Sequence, residues 1–267
     1  MDAVVFASYI PASEQLFVGQ ELLDALQRGF SDCDVYVGIN PSRALDDWVR
    51  ILQASPLNIT SDVVPDRLVV ASDASAFQRA LWLLRQSGKQ YDYVWFIHTK
   101  GVVRGDNHLW QLGKRQAQIT DFLGRRREVS AYLNEHSEMG SYANVLTVRD
   151  LEWDEASSYG SRLATFMDFD FPHYNAIYLF TFYVLKGFLL HRFNQHCIPA
   201  FFHKNLVLEH GCDRWFFEGD FPHIVTRQGY ELGFKQRIPS PFYHHMPSDE
   251  AYQTMIRTWR ARASVES

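Results

Sequence analysis

The chain has 267 residues, of which 46% are hydrophobic and 21% are charged. This composition supplies a substantial apolar core and excludes a mainly disordered protein. The net charge of -5 argues against broad contact with a phosphate backbone, so nucleic acid is not an expected partner. The three cysteines form no CxxC pair, and no apolar run approaches the ~18 residues of a membrane span. We therefore expect a cytoplasmic protein.

Strand-like and helix-like patterns alternate through the first hundred residues. Strands are predicted at residues 4–8, 35–39, 68–71 and 93–98, and helices at residues 13–28, 44–53 and 74–87. Ser72 or Asp73 is expected to cap the third helix. The strand at residues 93–98 is apolar almost throughout, which is typical of a position near the middle of a parallel sheet.

The pattern changes after residue 101. Helices are predicted at residues 109–123, 125–136, 187–194 and 207–219, and strands at 139–147 and 177–185. Residues 147–172 are predicted to form a loop or an acceptor-binding insertion. We expect one α/β domain over residues 1–267, with a mostly parallel central sheet flanked by helices. Its parts are a nucleotide-binding half (1–101), an acceptor and catalytic half (102–238) and a tail (239–267).

The residues after the fourth strand give the first indication of a site. Residues 91–101 read YDYVWFIHTKG, so an apolar strand leads directly into a polar segment. Ligands bind at the carboxyl ends of strands in open α/β sheets, although a core strand leaving through an ordinary Lys-Gly turn is the alternative. The predicted phosphate-binding residues here are His98, Thr99, Lys100 and Gly101. Positions after the first and third strands add nucleotide-binding candidates, namely Ala7, Ser8, Tyr9 and Asp73.

Short motifs occur in a fixed order over residues 90–235. They are YDYVWFIHTKG, Trp110, DFLG at 121–124, Gly140, Phe182-Tyr183, EHGCDR at 209–214 and Gly229-Tyr230. This order resembles the rhamnan synthesis F group of GT-A-like (Rossmann-like) glycosyltransferases. The resemblance implies transfer of a hexosyl or deoxyhexosyl group from a nucleotide-diphosphate donor to a hydroxyl of a glycan or lipid-linked acceptor, in surface polysaccharide or other glycan synthesis. It also implies an H-x-x-E-R signature, which appears here as His210, Asp213 and Arg214 with Asp in place of Glu.

Charge that develops on the departing diphosphate must be met by a cation or by oriented N–H groups. GT-A enzymes usually hold a divalent metal with an Asp-x-Asp element at this strand end, but the chain has His98, Thr99 and Lys100 there. Lys100 can serve as a point charge, which favours a reaction without a metal cofactor. The alternative is Mn²⁺ or Mg²⁺, with His244 or His245 completing the site. Arg104 is either a second phosphate contact or an exposed loop charge.

The acceptor hydroxyl must also lose a proton. On a helix, Glu209, His210 and Asp213 share one face, so Asp213 is the first candidate for the base and Glu209 the second. The alternative is a structural ion pair between Arg214 and a carboxylate. A retaining enzyme needs no base at this place.

Two other function classes remain open at this stage. The missing Asp-x-Asp element is compatible with a catalytically weak GT-A-like nucleotide-binding or partner protein. A metal-dependent phosphoesterase or nucleotidyltransferase would use the chain's 11 histidines. The basic runs at residues 114–115 and 125–127 suggest peripheral contact with a membrane or lipid carrier, or are solvated helix faces.

Overall fold

The computed structural model describes residues 1–65, 72–99, 108–148, 176–178, 182–190, 217 and 224–239. The strands are β1 (Ala3–Ser8), β2 (Asp34–Ile39), β3 (Asn58–Val63), β4 (Tyr93–His98), β5 (Met139–Val148), β6 (Ala176–Tyr178), β7 (Tyr183–Lys186) and β8 (Glu231–Pro239). The helices are α1 (Leu16–Gly29), α2 (Leu45–Ala54), α3 (Ser72–Gln86), α4 (His108–Asp121), α5 (Arg126–Glu135) and α6 (Ile224–Arg227). Short 3-10 turns lie at Ser13–Gln15 and Leu123–Arg125. No helix among these residues is long and apolar enough to cross a membrane.

The strands form one mixed sheet with the order β3-β2-β1-β4-β7-β5, and β6 and β8 both pair with β5. Strands β1 to β4 are parallel, whereas β7 is antiparallel to both β4 and β5. Since β8 is parallel to β5 along its length, β6 and β7 share the opposite edge of β5. Six of the eight described strands therefore run in one direction, which confirms the prediction of a mostly parallel sheet in an α/β fold.

The order of the first four strands creates a switch point between β1 and β4. The chain passes from β1 outward to β2 and β3, and then returns to β4 on the other side of β1. Helix α3 covers one face of the sheet, and α1, α2 and α5 contribute to the core on the other face. Connections leave β1 and β4 in opposite directions, so a crevice is expected between their carboxyl ends.

A register row that contains Gly38 and Ala7 lets α3 approach the sheet closely. Asp62, Gly38, Ala7 and His98 are neighbours across β3, β2, β1 and β4. A Cβ atom placed on Gly38 would lie 1.9 Å from the carbonyl oxygen of Ala76 in α3. Only glycine fits at this position, and α3 is consequently seated directly on the carboxyl half of the sheet.

A buried polar network joins the amino ends of the same strands. The Asp34 carboxylate accepts hydrogen bonds from Tyr91 Oη at 2.7 Å, Lys89 Nζ at 2.7 Å and Asn58 Nδ2 at 2.5 Å. Burial acts to raise the pKa of Asp34, but these hydrogen bonds and the Lys89 charge together lower it. The ionised carboxylate thus holds the amino ends of β2 and β3 to the turn before β4.

Most predicted elements occur within a few residues of their expected places, but several predictions are wrong. Helix α3 begins at Ser72, so Ser72 and Asp73 are its first residues and not its cap. The single strand predicted at residues 177–185 is two strands, β6 and β7. Strands β3 and β8 were not predicted. The strand predicted at residues 68–71 lies outside the described residues.

Candidate functional site at the carboxyl edge of the sheet

The carboxyl ends of β1 and β4 lie side by side and bring together two groups of predicted site residues. Ala7 pairs with His98, and the Thr99 N–H donates to the Ala7 carbonyl oxygen at 3.1 Å. The ladder therefore continues one residue beyond β4. Ser8 and Tyr9 follow on the neighbouring strand, so the two segments predicted from sequence share one edge of the sheet.

The Thr99 hydroxyl fastens this edge. Thr99 Oγ1 accepts a hydrogen bond from the Tyr9 N–H at 2.9 Å and donates one to the Tyr9 carbonyl oxygen at 2.9 Å. Thr99 is only 3% exposed. One side chain thus satisfies both backbone groups of Tyr9 and fixes the exit of β1 relative to the exit of β4. The next residue in the chain is Lys100.

Ser8 carries a buried hydroxyl at the same edge. Its side chain is fully buried, and its Oγ atom has no hydrogen-bond partner in the part of the chain that the structure describes. The Ser8 carbonyl oxygen accepts from the N–H of Asn40 at 2.9 Å, which joins the end of β2 to the end of β1.

The imidazole of His98 is packed among aromatic rings. Its centroid lies 6.3 Å from that of Phe77 in α3 and 5.7 Å from that of Phe182, and the residue is 4% exposed. The predicted phosphate contact therefore has its ring in the core beneath the edge. His98 packs α3 against β4 through its contact with Phe77.

Helix α3 presents its amino terminus to this edge. Ala76 and Phe77, near its start, contact Gly38 and His98 at the carboxyl ends of the strands. The N–H groups in the first turn of a helix carry a partial positive charge, which attracts anions. Asp73 belongs to this turn, so its backbone lies at the predicted nucleotide site.

Arg79 is a buried cation that the sequence did not indicate. Its guanidinium is 1% exposed, and Nη1 donates to the Asp62 carboxylate on β3 at 3.2 Å. Nε and Nη2 have no hydrogen-bond partner among the described residues. Burial lowers the pKa of Arg79, although the Asp62 charge opposes the shift. In the sequence, Arg79 sits within an ordinary amphipathic helix pattern, so no signal identified it.

The other predicted site residues lie outside the described residues. They are Lys100, Gly101, Arg104, Glu209, His210, Asp213, His244 and His245. Among the residues that are described, no group of three or more His, Cys, Asp or Glu side chains is arranged to hold a metal ion. No model of a known protein family matches the chain, and no curated protein matches it.

Proposed function

We propose that this protein is a GT-A-like glycosyltransferase that moves a sugar from a nucleotide-diphosphate donor to a hydroxyl of a glycan or lipid-linked acceptor. The observation that carries the proposal is the meeting of β1 and β4 at the switch point. There, Thr99 fastens Tyr9 and directly precedes Lys100. The chain order of the short motifs supports the same class.

The donor diphosphate is proposed to bind between the end of β4 and the amino terminus of α3. As the sugar departs, negative charge grows on the β-phosphate. The first-turn N–H groups of α3 and the Lys100 ammonium would meet that charge from two directions. The first source is fixed before the reaction, because α3 is seated on Gly38, and Lys100 is the residue that directly follows the hydrogen-bonded Thr99. This arrangement favours transfer without a metal cofactor.

The acceptor hydroxyl is proposed to lose its proton to Asp213, with Glu209 as the next candidate. A carboxylate accepts the proton as the new glycosidic bond forms, while the bond between sugar and β-phosphate breaks. His210 lies on the same predicted helix face and would orient the base. This assignment applies to an inverting reaction.

Lys100→Ala tests the donor site. Isothermal titration with UDP, dTDP and GDP in EDTA should give binding to the wild type, and the variant should bind the preferred nucleotide roughly tenfold to a hundredfold more weakly. Lys235→Ala is the matched control, because it removes an exposed lysine whose described ion pair, with Asp121, spans 3.6 Å at the surface. Transfer from the matching nucleotide sugar should fall with Lys100→Ala only.

Three outcomes would contradict parts of the proposal. Binding without donor hydrolysis or transfer for any nucleotide sugar would favour a nucleotide-binding protein without catalysis. Loss of activity in EDTA, with recovery in Mn²⁺ or Mg²⁺ and no effect of Lys100→Ala on donor affinity, would show that a metal meets the diphosphate. No binding of any nucleoside diphosphate would overturn the proposal itself.

A further inference from the structure

A second cavity lies at the amino edge of the sheet, opposite the candidate crevice. It has a volume of about 1170 Å³. Its floor includes Asp2 and Tyr93, at the starts of β1 and β4, and Lys186 at the end of β7. The turn after α1, the turn before β4 and one side of α5 form its walls. The six-residue strands β1 and β4 separate the two edges by about 20 Å.

The carboxylates that line this cavity are already engaged. Arg126 donates to Asp2 at 2.9 Å and to Asp32 at 2.5 Å, and its Nη1 also donates to the Gly29 carbonyl oxygen. Burial acts to lower the pKa of Arg126, but the two carboxylates raise it. Asp92 accepts a hydrogen bond from the amino group of Met1. These carboxylates therefore do not neutralise the other cations of the cavity.

Three cationic side chains remain. Arg28 and Arg127 line the cavity from α1 and α5, and neither has a carboxylate partner among the described residues. Lys186 is half-buried, and among the described residues it donates only to two carbonyl oxygens, those of His136 at 3.2 Å and Ser137 at 3.4 Å. Burial lowers the pKa of Lys186. The cavity thus carries available positive charge in a chain whose net charge is -5.

The positions of the basic run at residues 125–127 decide what kind of anion fits. Arg125 pairs with Glu128 in the first turn of α5, and Arg126 pairs with Asp2 and Asp32. Arg126 and Arg127 of the run both line the cavity, but of these two only Arg127 has no carboxylate partner among the described residues. The other predicted run is similar, since Arg115 is 2% exposed and donates to Glu21 at 2.7 Å. The available cations therefore converge on a concave space and do not form the flat basic face that a lipid surface needs.

We propose that this cavity binds a phosphate-bearing small molecule at a site separate from the carboxyl-edge crevice. Arg28, Arg127 and Lys186 hold the phosphate oxygens through charge-assisted hydrogen bonds. Gln90 and the Nδ2 group of Asn134, whose Oδ1 already accepts from Tyr93 Oη at 2.6 Å, lie on the same walls and are available for hydroxyl groups of the ligand. The volume accommodates a ligand of the size of a sugar phosphate or nucleotide.

The test is titration of the full chain with pyrophosphate and with glucose 1-phosphate at low ionic strength. The variant is Arg28→Gln together with Arg127→Gln, which keeps the side chains polar, shortens them and removes two exposed charges. Exposed charge contacts of this kind together account for about a tenfold change in affinity. We expect that loss for the double variant and a weaker interaction for every protein at higher salt.

Arg125→Gln is the matched control, because it removes a neighbouring arginine that is paired outside the cavity. It should bind as the wild type does. Lys100→Ala separates the two sites, because ligand binding that persists in this variant but is weakened in the double variant belongs to the amino-edge cavity and not to the donor crevice. A thermal unfolding curve checks that each variant is folded. Absence of binding at millimolar ligand, equal binding by the double variant, or binding only to phosphatidylglycerol vesicles would each overturn the proposal.

Discussion

Thr99→Val isolates the connection between β1 and β4. Valine keeps the β-branched shape of threonine but removes the hydroxyl that accepts from the Tyr9 N–H and donates to the Tyr9 carbonyl oxygen, both at 2.9 Å. Each hydrogen bond contributes about 1 kcal/mol, and the partly buried Tyr9 groups lose their partner as well. We expect the free energy of unfolding to fall by about 2–3 kcal/mol. For a chain of this size, that corresponds to a fall in Tm of about 4–12 °C.

Urea denaturation followed by tryptophan fluorescence measures the change, because the buried Trp95 lies on β4 itself. Thr99→Ser restores the hydroxyl and should recover most of the lost stability. Thr60→Val is the matched control, because it makes the same change of side chain at an exposed position of β3. The control should change stability by less than about 0.5 kcal/mol.

The same variant reports on the proposed donor site. If the fastened edge positions Lys100, Thr99→Val should weaken nucleoside diphosphate binding at temperatures where the protein remains fully folded. A stability change below about 0.5 kcal/mol in Thr99→Val would refute the structural reasoning. A normal loss of stability with unchanged nucleotide affinity would refute only the positioning role.

Three further changes test other parts of the molecule. Gly38→Ala would place a Cβ atom 1.9 Å from the Ala76 carbonyl oxygen, so we expect a loss of more than about 3 kcal/mol or failure to fold. Gly29→Ala is the control, because its Cβ atom would lie 3.5 Å from the Leu123 carbonyl oxygen, and it should express as a folded protein in circular dichroism. Because folding lowers the pKa of Asp34, its ionised form adds stability above the unfolded-state pKa of about 4, and this stability is lost as the pH falls through the lower folded-state pKa. Asp34→Asn should therefore be less stable than the wild type at pH 7. Urea titrations between pH 7 and pH 2 should show this difference in stability shrinking toward acid. Asp213→Asn should reduce turnover by roughly two to four orders of magnitude with little change in donor affinity, and near-normal turnover in a transfer assay would move the proposed base to Glu209.

The sequence was informative where burial controls the pattern. The apolar run of β4 predicted a strand at the exact bounds Tyr93–His98, and its central place in the sheet is confirmed. Its neighbours could not be predicted, because one of them is the antiparallel β7. A strand buried on both faces is apolar whichever way its partner runs.

Edge position explains the strand that was missed in the first half. Residues 58–63 read NITSDV, and these residues are exposed or only partly buried because β3 pairs with β2 alone among the described strands. Such a strand lacks the apolar run that identifies a buried one. Thr99 was predicted as a phosphate contact, but its hydroxyl bonds to Tyr9, a residue 90 positions away that local patterns do not connect.

Arg79 and the amino-edge cavity could not be predicted from the sequence either. The residues that meet at the cavity come from both ends of several elements, and their spacing in sequence carries no common period. Pairing also decides which charges are available. Arg125, Arg126 and Arg127 are consecutive and identical in type, yet each has a different role in the fold.

The placement of β7 between β4 and β5 sets an order of events during synthesis. Strands β1 to β4 are complete once residue 98 has been made, but β5 cannot join them before residues 183–186 supply the strand that lies between. At about 5–20 residues per second, the roughly 85 intervening residues delay that strand by about 4–17 s. During this interval the apolar edge of β4 is open to pairing with other chains. A nascent chain of this protein therefore has its greatest need of a chaperone between the emergence of β4 and the emergence of β7.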